Sequence, residues 1–155
     1  MAVRNKIESI INNVRGISHK LSPNKKDIFS FKEQIENVVE ETLVHSSITY
    51  DLYFSGDNAF LDEAQKLNIY RIVQELLHNA VKHSEATHVE IQLTVVEKEL
   101  ILTIDDNGKG FSVDKKKKGL GLINIQRRVD YLKGKFEISS TPQTGTYIVV
   151  AIPLV

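Results

Sequence analysis

Apolar residues in this chain repeatedly take every second position. Ile48, Tyr50, Leu52 and Phe54 alternate with Thr49, Asp51 and Tyr53, and Val89, Ile91, Leu93 and Val95 alternate with Glu90, Gln92 and Thr94. Leu100, Leu102 and Ile104 keep the same rhythm after a turn at Glu97-Lys98-Glu99. Successive side chains of a β-strand point to opposite faces, so such segments are strands with one buried and one wet face. Strands of an all-parallel sheet, covered on both sides, would be apolar throughout. The alternation therefore predicts an α+β chain: a mixed, mostly antiparallel sheet with helices on one face, a two-layer α/β sandwich. Two more strands are expected near 136–140 and 146–152, joined by Thr141-Pro142-Gln143-Thr144-Gly145.

Between the strands the period becomes helical. Ile69, Ile72, Val73, Leu76, Leu77 and Ala80 form one broad stripe within a helix expected over about 62–83. Phe31, Ile35, Val38, Val39 and Leu43 mark a helix over about 30–44, and a third runs from about Leu122 to Leu132, closed by Gly134. Upstream, Val3, Ile7, Ile10, Val14, Ile17 and Leu21 step by four and three, the seam of a bundle or coiled-coil helix that Pro23 ends. The expected organisation is the end of a bundle or coiled-coil helix over 1–23, a connecting helix within 24–45, and a domain over 46–155.

Bulk properties narrow the function. A length of 155 residues at 41% hydrophobic content suits one core. Twenty basic and twenty acidic residues cancel, leaving no global field toward nucleic acid or an anionic membrane. With no cysteine there are no disulfides and no thiolate metal sites, which fits a reducing cytosol. No apolar run approaches the roughly 20 residues of a membrane span, so a cytoplasmic domain is expected, whether or not a parent protein is anchored elsewhere.

Some residues fall where chemistry is possible. Glu75, Asn79 and Lys82 lie at i, i+4 and i+7 on a helix margin bordering the apolar stripe, with His83 nearer the stripe. Asn79 can offer a neutral oxygen to Mg²⁺, and Lys82 and His83 can meet phosphates. On the helix alone, a polar edge explains these residues more simply. The strand Leu100, Leu102, Ile104 delivers Asp106 onto the buried face, where a carboxylate needs a donor. Asn107-Gly108-Lys109-Gly110 follows, with glycines that let backbone approach a ligand. An acceptor in an apolar slot suits an amino group such as that of adenine, although an Asp-Asn-Gly turn explains the segment equally well. Gly119-Leu120-Gly121-Leu122 opens the last helix with free N–H groups, an anion site in principle. The adjacent Lys115–Lys118 run reads as a solvated loop. Thr146, after Gly145, shares a face with Ile148, Val150 and Ile152, a common structural position.

The order of these elements is more specific than any one of them. The chain resembles the ATPase domain shared by histidine kinases, gyrase B, Hsp90 and MutL, and within it the kinase branch related to nitrate and lipid-fluidity sensors. The resemblance covers about Ser46 to Leu154. It rests on Ile69 to His83, on Asp106-Asn107-Gly108-Lys109-Gly110-Phe111, on Gly119-Leu120-Gly121-Leu122 with the Ile125–Val129 helix, and on Thr144-Gly145-Thr146. Val14 to Pro23 resembles the end of the second dimerisation helix of the same branch.

That resemblance implies the Bergerat ATP-binding sandwich and a set of roles. Asp106 would bind the adenine amino group with Thr146 supporting it, and Gly108 and Gly110 would shape the adenine pocket. Asn79 would hold Mg²⁺ on the phosphates, Lys82 and His83 would contact phosphate oxygens, and Gly119, Gly121 and Leu122 would belong to the phosphate-binding turn. Glu75 stands where ATP-hydrolysing relatives carry their catalytic carboxylate. The implied activity is transfer of the ATP γ-phosphate to a histidine on a dimerisation domain, for relay to a response regulator receiver domain, in a homodimeric parent. The Arg-x-Leu-His-Asp-like context of the acceptor histidine is missing, His19 sits in the wrong helix, and His45, His78 and His88 lack supporting context. The chain alone is therefore not expected to autophosphorylate. The short 111–118 loop implies ATP affinity on the order of micromolar or weaker. Other readings are an anti-sigma-factor-like serine kinase, which shares the motifs, and a dimerisation module with a decayed site.

Overall fold

The computed structural model describes residues 30–58, 60–113 and 119–154. The expected helix over 1–23 and the Lys115–Lys118 run lie outside these residues.

The alternating segments form one five-stranded sheet: β1 (Thr49–Ser55), β2 (His88–Val96), β3 (Glu99–Asp106), β4 (Lys135–Ser140) and β5 (Thr146–Pro153), in the order β1-β2-β3-β5-β4. β1 pairs parallel to β2, and the remaining pairs are antiparallel. The helices are α1 (Phe31–Leu43), α2 (Glu63–Asn79) and α3 (Leu120–Tyr131). The parallel β1–β2 pair needs a crossover, which the segment containing α2 provides.

One face of the sheet is covered. Val89, Ile91 and Leu93 of β2, Leu100, Leu102 and Ile104 of β3, and Ile148, Val150 and Ile152 of β5 join the helix stripes in one core. Ile35, Val38 and Val39 of α1 are part of the same core. Edge strand β1 departs from strict alternation, because Tyr50 is 40% exposed while Leu52 and Phe54 are half-buried. Ile48, Leu52 and Phe54 pack against the edge of the core, and the Phe31 ring meets Phe54 edge-on at 6.0 Å.

α2 begins where the sequence suggests. The Asp62 side chain accepts a hydrogen bond from the Gln65 amide at 2.7 Å, and Gln65 Oε1 accepts one from the Asp62 amide at 3.0 Å, a complete capping box. The Gln65 side chain also donates to the Pro153 carbonyl, fastening this end of the helix to β5. The other end differs from expectation. The α-helix stops at Asn79, and Ala80–Ser84 form a π-helical turn before Glu85 enters the left-handed region at φ 54°. Ser84 explains the stop. Its hydroxyl donates to the Ala80 carbonyl at 2.6 Å and accepts from the Ala86 amide at 3.0 Å, competing with the helical ladder.

Candidate functional site

Between α2, the ends of β3 and β5, and the start of α3 lies a cavity of about 340 Å³. Its floor is apolar, with Ile104, Ile138 and Ile148, and Leu76 and Ala80 give it one apolar wall. Asp106, Asn79, His83, Ser84 and Thr146 supply its polar groups. A mostly apolar slot with a few convergent polar atoms is the usual build of a small-molecule site.

Asp106 is the floor's charged group. Period-two alternation carries it inward at the end of β3, leaving it 7% exposed, directly opposite Thr146 on β5. The Gly108 amide donates to its Oδ1 at 2.9 Å. Burial pushes its carboxyl above the ordinary range, and the neighbouring Asp105 charge adds to this. Hydrogen bonds from Gly108 and Thr146 pull the other way. The result is a buried acceptor lining a cavity, with lone pairs beyond those its protein donors use, local chemistry that suits a ligand N–H donor.

Two loops hold this carboxylate in place. After Asp106 the chain turns through Asn107, whose Oδ1 accepts the Thr87 amide at 2.9 Å and the His88 amide at 3.0 Å. Its Nδ2 donates to the Thr87 hydroxyl. The Lys109 amide bonds the Ser84 carbonyl, so the glycine loop is laced to the π-turn of α2. Gly110 (φ 60°) and Gly145 (φ 79°) take conformations that L side chains rarely adopt, and a Cβ on Gly145 would run into the Asp106 carbonyl.

The opposite rim is the start of α3. Gly119 caps it without a side-chain hydrogen bond, which leaves first-turn N–H groups for a ligand. Gly121 faces α2 so closely that a Cβ there would lie 2.5 Å from Glu75 Oε1 and 3.3 Å from Asn79 Oδ1.

The cavity thus brings together Asn79, His83, Asp106, Gly110, Gly119, Gly121, Leu122 and Thr146. Gly108 stands behind it, with its amide on Asp106. Glu75 touches the space beside Gly121 but lines a neighbouring polar cleft with Arg71, Gln74, Asn124 and Arg128. Lys82 is exposed and does not line the cavity. An α-helix would have kept it on the Asn79 face, whereas the wider i→i+5 turn changes the angular steps after Ala80.

Three more residues belong to this site, and sequence reasoning missed them. Ser84 ends the helix and lines the cavity, Asn107 laces the loops, and Ser140 lies beneath Thr146. Ser140 had a legible signal. Phe136, Ile138 and Ser140 share one phase of β4, so a hydroxyl occupies an inward position just as Asp106 does on β3.

Residues 64–155 match the histidine kinase-, DNA gyrase B- and HSP90-like ATPase family. The chain belongs to that family. Known sequences with similar segments include the signal transduction histidine-protein kinase/phosphatase DegS of Brevibacillus brevis, 31% identical over 153 residues. The alignment covers 98% of this chain and 40% of that protein. The chain spans well under half the length of such relatives. Among solved structures, the Acinetobacter baumannii histidine kinase AdeS superposes with a TM-score of 0.69 at 24% identity, covering 96% of this chain and 83% of that one. The catalytic domain of histidine kinase ThkA gives 0.65 at 19% identity, covering 81% and 94%. The fold is therefore that of histidine kinase catalytic domains within this family. No helix among the described residues is long and apolar enough to cross a membrane.

Proposed function

We propose that this chain is the ATP-binding catalytic domain of a two-component sensor histidine kinase, presenting ATP to a histidine carried by a dimerisation domain. The observation that carries the reading is Asp106, a buried carboxylate on the floor of an apolar cavity, held by Gly108 and Thr146 and with acceptor capacity left for a ligand donor. Adenine offers an exocyclic N–H donor and two apolar faces, which matches the floor and the Leu76–Ala80 wall. With the base seated there, the phosphates extend toward Asn79, His83 and the open N-terminus of α3.

Mg²⁺ fits as a companion of the nucleotide. Among the described residues no cluster of three acidic or histidine side chains could hold a metal alone. The ion would bind with the phosphates and take the neutral Asn79 amide oxygen as its protein ligand. When bound, it neutralises phosphate charge. The protein's part is positioning: it buries the base, orients the phosphates with backbone N–H groups and leaves the γ-phosphate at the open rim for in-line attack. Glu75, beside Gly121, is assigned the role of orienting the attacking group. The phosphohistidine then passes its group to an aspartate of a receiver domain, within a homodimeric parent whose kinase part lies in the cytoplasm.

Calorimetric titration with a non-hydrolysable ATP analogue and Mg²⁺ tests the binding step. Asp106→Asn should weaken binding by about 10- to 100-fold, the loss of a charge-assisted hydrogen bond worth about 1.5–3 kcal/mol. Equal binding by both proteins would move the ligand elsewhere. Fusing a complete dimerisation domain with its acceptor histidine should restore autophosphorylation, and a fusion that binds ATP without ever labelling would refute the kinase reading.

A further inference from the structure

Ser140 sits at the crossing of three groups that the site depends on. Its Oγ accepts the Phe111 amide at 2.9 Å, lies 2.8 Å from the Gly145 carbonyl and lies 3.1 Å from Thr146 Oγ1. It is 7% exposed, at the last position of β4 and directly opposite Thr146 in register. Phe111 is the first residue after the glycine loop and lines the cavity mouth. Thr146 in turn hydrogen-bonds Asp106.

Proton counting makes the arrangement directional. Ser140 and Thr146 carry one hydroxyl proton each. The Gly145 carbonyl and the Asp106 carboxylate are pure acceptors. When Ser140 donates to Gly145, the single Thr146 proton has two competing acceptors, Ser140 and Asp106. When Ser140 turns its proton to Thr146, the Thr146 proton is released for Asp106. The Phe111 N–H holds Ser140 in place in both arrangements, since it only donates. Removing the Ser140 hydroxyl therefore frees the Thr146 rotor and unpins the Phe111 amide at once.

We propose that Ser140 is a positioning residue for purine selection: it fixes the Thr146 hydroxyl against Asp106 and registers the Phe111 end of the loop to that carboxylate. It touches no ligand itself. The inference rests on Asp106 being the anchor of the adenine amino group. Adenine presents a donor at position 6 where hypoxanthine presents a carbonyl, so the preference for adenine over hypoxanthine reports how well the carboxylate and its hydroxyl are aligned.

The test titrates the whole chain with Mg²⁺ and the non-hydrolysable analogues of ATP and ITP, for wild type, Ser140→Ala, Ser140→Thr and Asp106→Asn, with melting curves for each without ligand. Ser140→Ala should lose about tenfold in ATP-analogue affinity and should lose most of its preference over the inosine analogue. Ser140→Thr, which keeps the hydroxyl, should retain both. A purely structural serine would lower the melting temperature of Ser140→Ala and leave the ratio of the two affinities unchanged, and that result overturns the proposal. So does a Ser140→Ala protein indistinguishable from wild type in binding. If Ser140→Ala does not fold, Ser140→Cys, similar in shape and a weak donor, carries the same comparison. Failure of the anchor reading has a different signature: Asp106→Asn binds like wild type, whatever Ser140 does.

Discussion

Asp106 places a stability cost on the floor of the cavity. Its carboxyl is held above the ordinary range chiefly by burial, so the folded protein keeps a proton on it to higher pH than the unfolded chain does. Between the ordinary carboxylate value and the raised one, the native state binds more protons, and this group's contribution makes stability fall as pH rises through that window. Asp106→Asn should therefore melt at or above the wild-type temperature at pH 7 without nucleotide, with the difference shrinking in acid below the window. Thermal melts from pH 4 to pH 7 measure it, and a mutant clearly less stable at pH 7 would contradict a burial-dominated site. Nucleotide affinity should move the other way, declining as pH falls through the raised value, because the acceptor must be ionised. Asn107 shows the complementary case. It binds no ligand, and its three hydrogen bonds to Thr87 and His88 join the glycine loop to the start of β2. Asn107→Ala should cost about 1–3 kcal/mol in urea unfolding, with each unsatisfied amide contributing. Its motif was legible in the sequence as a turn, yet its role was not, because its partners are some 20 residues away in the chain.

Periodicity made most elements legible, since burial on one face writes the period directly into the strands and helices. What it could not show was local competition at an element's end. After α2 the chain makes a π turn over Ala80–Ser84, within which the Ser84 hydroxyl bonds the Ala80 carbonyl, and Lys82 is not on the cavity lining while His83 is. A hydroxyl's choice among backbone partners depends on neighbouring strands and leaves no periodic trace. Strand pairing was legible only as a class: alternation predicted a mixed sheet, while the parallel β1–β2 pair follows from where the crossover carries the chain. At the contact of α2 with α3, stability and function separate again. Gly121→Ala adds helix propensity worth about 1 kcal/mol in the first turn of α3. The Cβ meets the free end of Glu75, which can swing aside, and it crowds Asn79. The expected outcome is an unchanged or raised melting temperature with nucleotide affinity down by about tenfold, read by calorimetry. If affinity is retained, the close approach of these helices is incidental to binding. Ile72→Ala, by contrast, opens the fully buried stripe of α2 and should cost about 2–5 kcal/mol.

At the scale of the molecule, the cavity is built from segments that do not touch in sequence. The end of α2, the glycine loop after β3, the start of α3 and the hairpin before β5 converge on it. A ligand joining all four should resist unfolding as a unit. By mass action, a nucleotide at 100 times its Kd adds about 2.7 kcal/mol to the folded state. For a domain of this size each kcal/mol is worth roughly 3–5 °C, so the Mg²⁺–ATP analogue should raise the melting temperature by roughly 10 °C. The shift should grow with the logarithm of nucleotide concentration. It should be much smaller for Asp106→Asn at the same concentration, even though that protein starts from an equal or higher melting temperature. Differential scanning fluorimetry of both proteins across a nucleotide series checks all three statements. A wild-type shift that the Asp106 substitution leaves intact would mean that the ligand stabilises the chain from some other surface, and the cavity between α2 and the β3–β5 ends would then need a different occupant.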